Sequence, residues 1–396
     1  MTRRPAWITR GFAGREPGGL TLKRLNILHS ATWLRAGRFP AIEGCPPETH
    51  PWVLFCSNFA GPWDPYRQAF LDVQGKGVRT MWGTSIGFPK FPGRGSRYEL
   101  EDWVQYRLPQ TDHYYRAYPG LSPNDVRSAV RLAKEVEALA FSWQAARCED
   151  DGQALRCTFE RLVTRVQDCL GGVPDEALRV TPTLGLPTAT GMSNFVSLMP
   201  ILPGRERHVR AKAQALGSDT SPFRAVPGTH FARLAVLDRR TAAFHPRQTV
   251  TMRNSWLLFA VDFDGEFADE EPAARRMNGG EIRRYLRAVD DVPVLRDMWC
   301  DCFGFRSHAA LEDLLEPSVI ERFVLFRDHG DTTLAEIISA LKLKQRFVCL
   351  RGTGQLETAD QIECYLAEVR NQVRWPQLRT ADERYLATNS SQFHGA

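Results

Sequence analysis

The chain has no stretch of about 18 apolar residues and no apolar segment near its start, so neither a membrane-spanning helix nor a secretory signal is expected. A disulfide framework is also missing. The nine cysteines are odd in number and scattered, as reduced thiols in a cytoplasmic protein would be. The one close pair, Cys300 and Cys302, has no second pair at zinc spacing. Nor does one charge dominate: 51 basic residues face 46 acidic ones, a net charge of +5, too even to imply a nucleic-acid partner. Phosphate-loop and His-Glu-x-x-His patterns are absent as well. These absences point to a cytoplasmic protein with no membrane or nucleic-acid partner.

What is present is a globular composition, 43% hydrophobic and 24% charged, over 396 residues, a length that suits two domains. Basic residues gather at the start, where Arg3, Arg4, Arg10, Arg15, Lys23 and Arg24 meet a single acid, Glu16, and make residues 1–24 a basic flexible arm. A Pro/Gly/Thr-rich linker is expected over 171–192 and a flexible tail over 385–396.

Sliding the chain on itself brings out a repeat. Trp52-Val-Leu-Phe-Cys-Ser-Asn-Phe-Ala-Gly61 falls on Trp256-Leu-Leu-Phe-Ala-Val-Asp-Phe-Asp-Gly265 at an offset of 204. At the same offset Asn26–Leu34 falls on His230–Asp238. Further on, Leu100-Glu101-Asp102 meets Leu311-Glu312-Asp313, Arg116 meets Arg327, and Ser128-Ala129 meets Ser339-Ala340, now at 211.

Short segments rich in β-branched, aromatic and aliphatic residues predict strands over 26–34, 52–59, 113–118, 195–202, 230–238, 256–263 and 322–328. Apolar residues at helical spacing predict helices over 64–73, 122–140, 154–168, 205–216, 280–289 and 332–345. The second half then runs β-α-β-β-α-β. The expected fold class is therefore α+β: two tandem ferredoxin-like (split βαβ) units with antiparallel sheets, over 25–170 and 193–384, the first incomplete or modified at its N-terminus.

Gly228-Thr-His-Phe-Ala-Arg-Leu-Ala-Val-Leu-Asp238, together with Leu257-Leu-Phe-Ala-Val-Asp-Phe-Asp-Gly265 and its first-half partner, resembles an uncharacterised bacterial family. Its members look similar in fold to dye-decolourising peroxidases and chlorite dismutases. The resemblance implies a haem held against one sheet, with an axial histidine below and an Asp or Arg above for peroxide cleavage, hence a peroxidase-like oxidoreductase. The Gly-x-x-Asp-Gly loop of the peroxidases is missing, since Asp262-Phe-Asp-Gly265 begins without glycine. That departure favours a second reading: a cofactor-free protein that uses the same fold for small-molecule binding or for pairing with another copy of itself.

On the haem reading the cofactor-binding candidates are His308, His329 and His230, in that order. The first two have an acid nearby in sequence, Asp313 and Asp328, to fix the imidazole tautomer. The catalytic candidates are Arg233, Arg327 and Asp262. Strand alternation sets His230 on one face with Ala232 and Leu234, and Phe231 with Arg233 on the other. Asp262 and Asp264, which become Asn58 and Ala60 in the first half, read more readily as turn caps.

Overall fold

Alternation along the strands decides the architecture. In β6 (Trp256–Gly265), Phe259, Val261 and Phe263 point to one side of the sheet, while Leu258, Ala260, Asp262 and Asp264 point to the other. Every residue of the strand is buried, so both faces are covered. In this computed structural model the described residues are 25–36, 50–69, 109–145, 152–180, 189–239, 252–265, 279–320 and 322–372, with shorter pieces between 22 and 104 and at 182–183 and 185. Of the basic arm 1–24 only Leu22 falls among them, and the tail 385–396 lies outside. The expected linker carries a helical turn, Asp175–Arg179, and runs into a strand.

The chain is a mixed α+β protein with two antiparallel sheets. One sheet has the order β2-β1-β7, from β1 (Leu28–Arg35), β2 (Val53–Phe59) and β7 (Arg322–Arg327). The other has the order β3-β5-β6-β4, from β3 (His113–Arg116), β4 (Gly191–Pro200), β5 (Thr229–Leu237) and β6. The helices are α1 (Pro123–Ala145), α2 (Gly152–Arg165), α3 (Glu206–Ala215), α4 (Gly279–Asp290), α5 (Leu334–Gly352) and α6 (Ala359–Gln372). Among the described residues no helix is long and apolar enough to cross a membrane.

Two compact units emerge, each built from separated segments rather than from the consecutive stretches 25–170 and 193–384. One comprises 1–126 and 174–338, the other 127–173 and 339–396. The second unit is helical. Leu132, Val136 and Leu139 of α1 join Leu155, Phe159 and Leu162 of α2, Phe347 of α5, and Ile362, Tyr365 and Val369 of α6 in one apolar cluster. The three- and four-residue spacing of these side chains supplies a single buried face per helix.

Both sheets belong to the first unit and face each other. At one end of the space between them, Leu34, Val196, Leu198, Ala235, Leu237, Leu258 and Ala260 make an apolar layer. Each leucine or valine among them contributes about 1.5–3 kcal/mol when fully buried. On the far side of the larger sheet, Phe195 and Phe263 pack on Tyr285 of α4, and Phe259 on Trp299.

Strand pairing repeats along the chain. Leu28 pairs with Phe59 and Ser30 with Asn58, a bulge falling between them; Thr229 pairs with Phe263 and Phe231 with Asp262, again with a bulge between. Likewise Arg327 pairs with Ser30 as Arg116 pairs with Phe231. The halves exchange strands: β7 from the second lies beside β1, and β3 from the first lies beside β5. The two extra residues at the bulges are His29 and His230, so β1 corresponds to β5 at an offset of 201, not the 204 expected from Asn26 and His230. The difference is taken up in the loop that joins β1 to β2 or β5 to β6, because the β2 and β6 partners Phe59 and Phe263 keep the offset of 204.

Candidate functional site

Past the apolar layer, the same strand faces turn polar. Ser30 follows Leu34 and Thr32 on β1, Asn58 follows Leu54 and Cys56 on β2, Asn194 follows Leu198 and Val196 on β4, and Asp262 and Asp264 follow Ala260 on β6. Alternation turns these groups toward one space, and the register, which sets Ser30 opposite Asn58 and Asn194 opposite Asp262, brings them to one level.

Asp262 is the hub. Its residue is 0% exposed, and its carboxylate accepts from Ser30 Oγ, from Asn194 Nδ2 and, at 2.7 Å, from Asn58 Nδ2. It thus ties β1 and β2 of one sheet to β4 and β6 of the other. This is not a turn cap, because β6 continues through it to Gly265.

Next to it runs a chain of rings. His230 Nε2 lies 2.9 Å from Asp264 Oδ1, His230 Nδ1 lies 3.2 Å from the Tyr118 hydroxyl, and that hydroxyl lies 3.0 Å from His329 Nε2. Asp264 also accepts from the Leu334 amide at 2.8 Å. A phenol has one proton. With His230 Nε2 donating to Asp264, Tyr118 donates to His230 Nδ1 and accepts from His329 Nε2. Burial first, and then the nearby Asp262 charge, hold the Tyr118 phenol well above its ordinary pKa, so it stays protonated. His29, the bulge counterpart of His230, holds the Leu121 carbonyl at 2.9 Å through Nε2.

The bulge also corrects the expected orientation of His230. As the extra residue between Thr229 and Phe231, it leaves the face of Ala232 and Leu234 and meets Tyr118, the ring that stacks edge-on against Phe231. Replacing Tyr118 by phenylalanine removes the hydroxyl shared by two buried imidazoles. A loss of about 1–3 kcal/mol is expected, measured by urea denaturation, and a loss near zero would show that the ring packing alone matters.

The other candidates divide. His329 and Asp262 belong to this centre, and Arg233 borders it. Arg327 is engaged on the Met192 carbonyl and Arg233 on the Ser57 carbonyl at 2.9 Å. His308 is exposed in a turn before Ala309 and joins none of these groups. Missed in the sequence were His29, Tyr118, Asp264, Asn58 and Tyr114 as members of one cluster. Matching Leu28-His-Ser-Ala31 to Thr229-His-Phe-Ala232 at 201 would have exposed the paired histidines.

These residues do not fit a haem. Ring centroids of His29 stand 5.2 Å from Phe231, 5.4 Å from His329 and 5.7 Å from Tyr118, which is direct packing. A porphyrin between two rings needs about 7 Å, twice the usual contact distance. Both nitrogens of His230 already have partners, Asp264 and Tyr118, and Nε2 of His329 faces Tyr118. Among the described residues no group of three or more His, Cys, Asp or Glu side chains is arranged to hold a metal ion.

At the edge of the centre the packing loosens. The edge strands β2 and β3 bring together Asn58, Tyr114, Arg116 and, from the neighbouring β5, Arg233, all half-buried. Tyr114 donates to Asn58 Oδ1 at 3.0 Å, and Arg233 Nη2 reaches the same oxygen at 3.5 Å. This fixes the Asn58 amide, whose nitrogen donates to Asp262 and Ser30. The class of protein so defined is an α+β protein with two facing sheets and a buried polar centre bordered by half-buried groups. The sequence matches no family model, and no curated protein or solved structure matches it either.

Proposed function

We propose that the protein is a cofactor-free small-molecule-binding protein, built from two copies of one α+β unit, with its binding groups at the rim formed by Asn58, Tyr114, Arg116 and Arg233. The observation that carries this reading is the contrast within one cluster. The imidazoles at the centre are packed ring on ring or engaged at both nitrogens, whereas the rim groups are half-buried and Arg233 retains a free donor. Binding sites are fixed in orientation by a few convergent polar groups, and the rim supplies four of them around one aromatic ring.

The duplication is supported by the repeated pairing and by matched details. Asp328 donates to the His29 carbonyl as Ala117 donates to that of His230, each at 2.9 Å. Ser122 with Asp125, and Thr333 with Glu336, form capping boxes at the starts of α1 and α5. A ferredoxin-like origin of each copy is favoured by the adjacent order β4-β6-β5 and by the antiparallel bridge from Ser197 to Val319, just before β7. Kinship with the peroxidase fold rests on this arrangement, and the redox chemistry does not follow from it.

Two measurements test the reading together. Haem titrated into the protein is expected to give no histidine-ligated Soret band. A screen of small fragments by nuclear magnetic resonance is expected to find binders that perturb Tyr114 and Arg233. A Soret band that disappears in His230→Ala or His329→Ala, with no fragment perturbing the rim, would restore the haem reading in its place.

A further inference from the structure

Resting on the binding reading above, we propose that the rim takes an oxyanion, the carboxylate or phosphate group of a small molecule, between Arg116 and Arg233. Tyr114 on β3 lies directly across from Arg233 on β5, and Arg116 is two residues along β3, so all three side chains share one face. The guanidinium carbons stand 4.7 Å (Arg116) and 4.9 Å (Arg233) from the centre of the Tyr114 ring. The ring holds two cations in place without neutralising either.

Neither arginine has a carboxylate within 4.0 Å among the described residues, unlike Arg210, Arg283, Arg287 or Arg296, each paired with an acid. The nearest candidate, Asp262, is already bonded to Ser30, Asn58 and Asn194. Arg233 uses one nitrogen on the Ser57 and Asn58 oxygens, and its buried Nε has no acceptor. Two half-buried guanidinium groups held on one ring, with no carboxylate paired to either among the described residues, form a site of net positive charge. Guanidinium forks match carboxylate and phosphate oxygens in pairs, and this is the ligand chemistry such a site favours.

The test compares acetate and inorganic phosphate with neutral acetamide, by calorimetry and by Tyr114 resonance shifts, at one ionic strength set with chloride. Acetate or phosphate is expected to bind saturably and acetamide not to bind. Arg116→Gln, which breaks no backbone bond, is expected to weaken anion binding about 10-fold or more, the effect of losing one charge-assisted pair. Arg233→Gln should do the same, and its folding is checked by near-ultraviolet circular dichroism. Acetate and acetamide binding equally well, with no loss in Arg116→Gln, would overturn the oxyanion assignment and leave the binding reading intact. Rim shifts from uncharged fragments without any from the anions would likewise overturn it. No rim shift from any probe would remove the binding reading itself.

Discussion

Asp262→Ala is expected to destabilise the protein by about 3–5 kcal/mol, a large part of the roughly 5–15 kcal/mol that holds a domain folded. Three donors from three different strands, Ser30, Asn58 and Asn194, converge on this carboxylate; alanine leaves the buried Ser30 hydroxyl and Asn194 amide short of an acceptor, although Asn194 keeps the Val261 carbonyl and the half-buried Asn58 keeps Ser30. Each buried donor without an acceptor costs about 1–3 kcal/mol, and partial rearrangement of Asn58 toward Tyr114 recovers some of that. The damage should fall on the junction of the sheets. Urea denaturation gives the loss, and amide exchange should rise at β1 and β6 while the helical unit of α2 and α6 keeps its protection. A loss under about 1 kcal/mol would mean that the apolar layer around Leu34 and Leu258 holds the sheets without help from the polar centre.

The strands were legible because their residues alternate. Trp256 to Gly265 announces a buried strand, and the Trp52 and Phe55 matches at 204 announce its counterpart. The partners of the strands were not legible. Whether β7 completes the sheet of β4 or crosses to β1 depends on contacts far apart in sequence, and no local preference of Arg322 to Arg327 decides it. The bulges hid the site for a related reason. Strict alternation puts His230 with Ala232, whereas one extra residue turns it toward Tyr118, and a bulge leaves no mark in composition. His308 drew attention through its neighbour Asp313, yet that acid is engaged by Arg283 at 2.7 Å, and the turn that carries His308 is exposed. Arg233 stood out as a catalytic candidate and Arg116 as the counterpart of Arg327, yet only the cross-strand pairing of Tyr114 and Arg233 shows that the two share a ring.

Stability should fall steeply as the pH drops below about 6.5, because two buried histidines resist protonation in the folded chain. Burial alone pulls His113 down to about 4; its Nε2 lies 2.9 Å from Ser221 Oγ and its ring stacks on Phe223. Burial also pulls His29 well below the ordinary histidine value, with the neighbouring His329 adding to the effect and the Leu121 carbonyl opposing it. A second proton on His29 would sit on Nδ1, a buried atom with no acceptor. For a group whose folded pKa is depressed, the unfolded chain binds more protons below the unfolded value. The contribution is therefore complete above about pH 6.5 and drains away as the pH falls toward the folded pKa. Each such histidine adds at most about 1.4 kcal/mol per pH unit, so His113 alone accounts for about 3 kcal/mol between pH 6.5 and 4. Urea midpoints measured from pH 7.5 down to 4.5 should show the decline, and His113→Asn and His29→Gln, which keep a hydrogen-bonding side chain but cannot be protonated, should each flatten it. Wild-type and variant curves that fall in parallel would remove the histidines from the account.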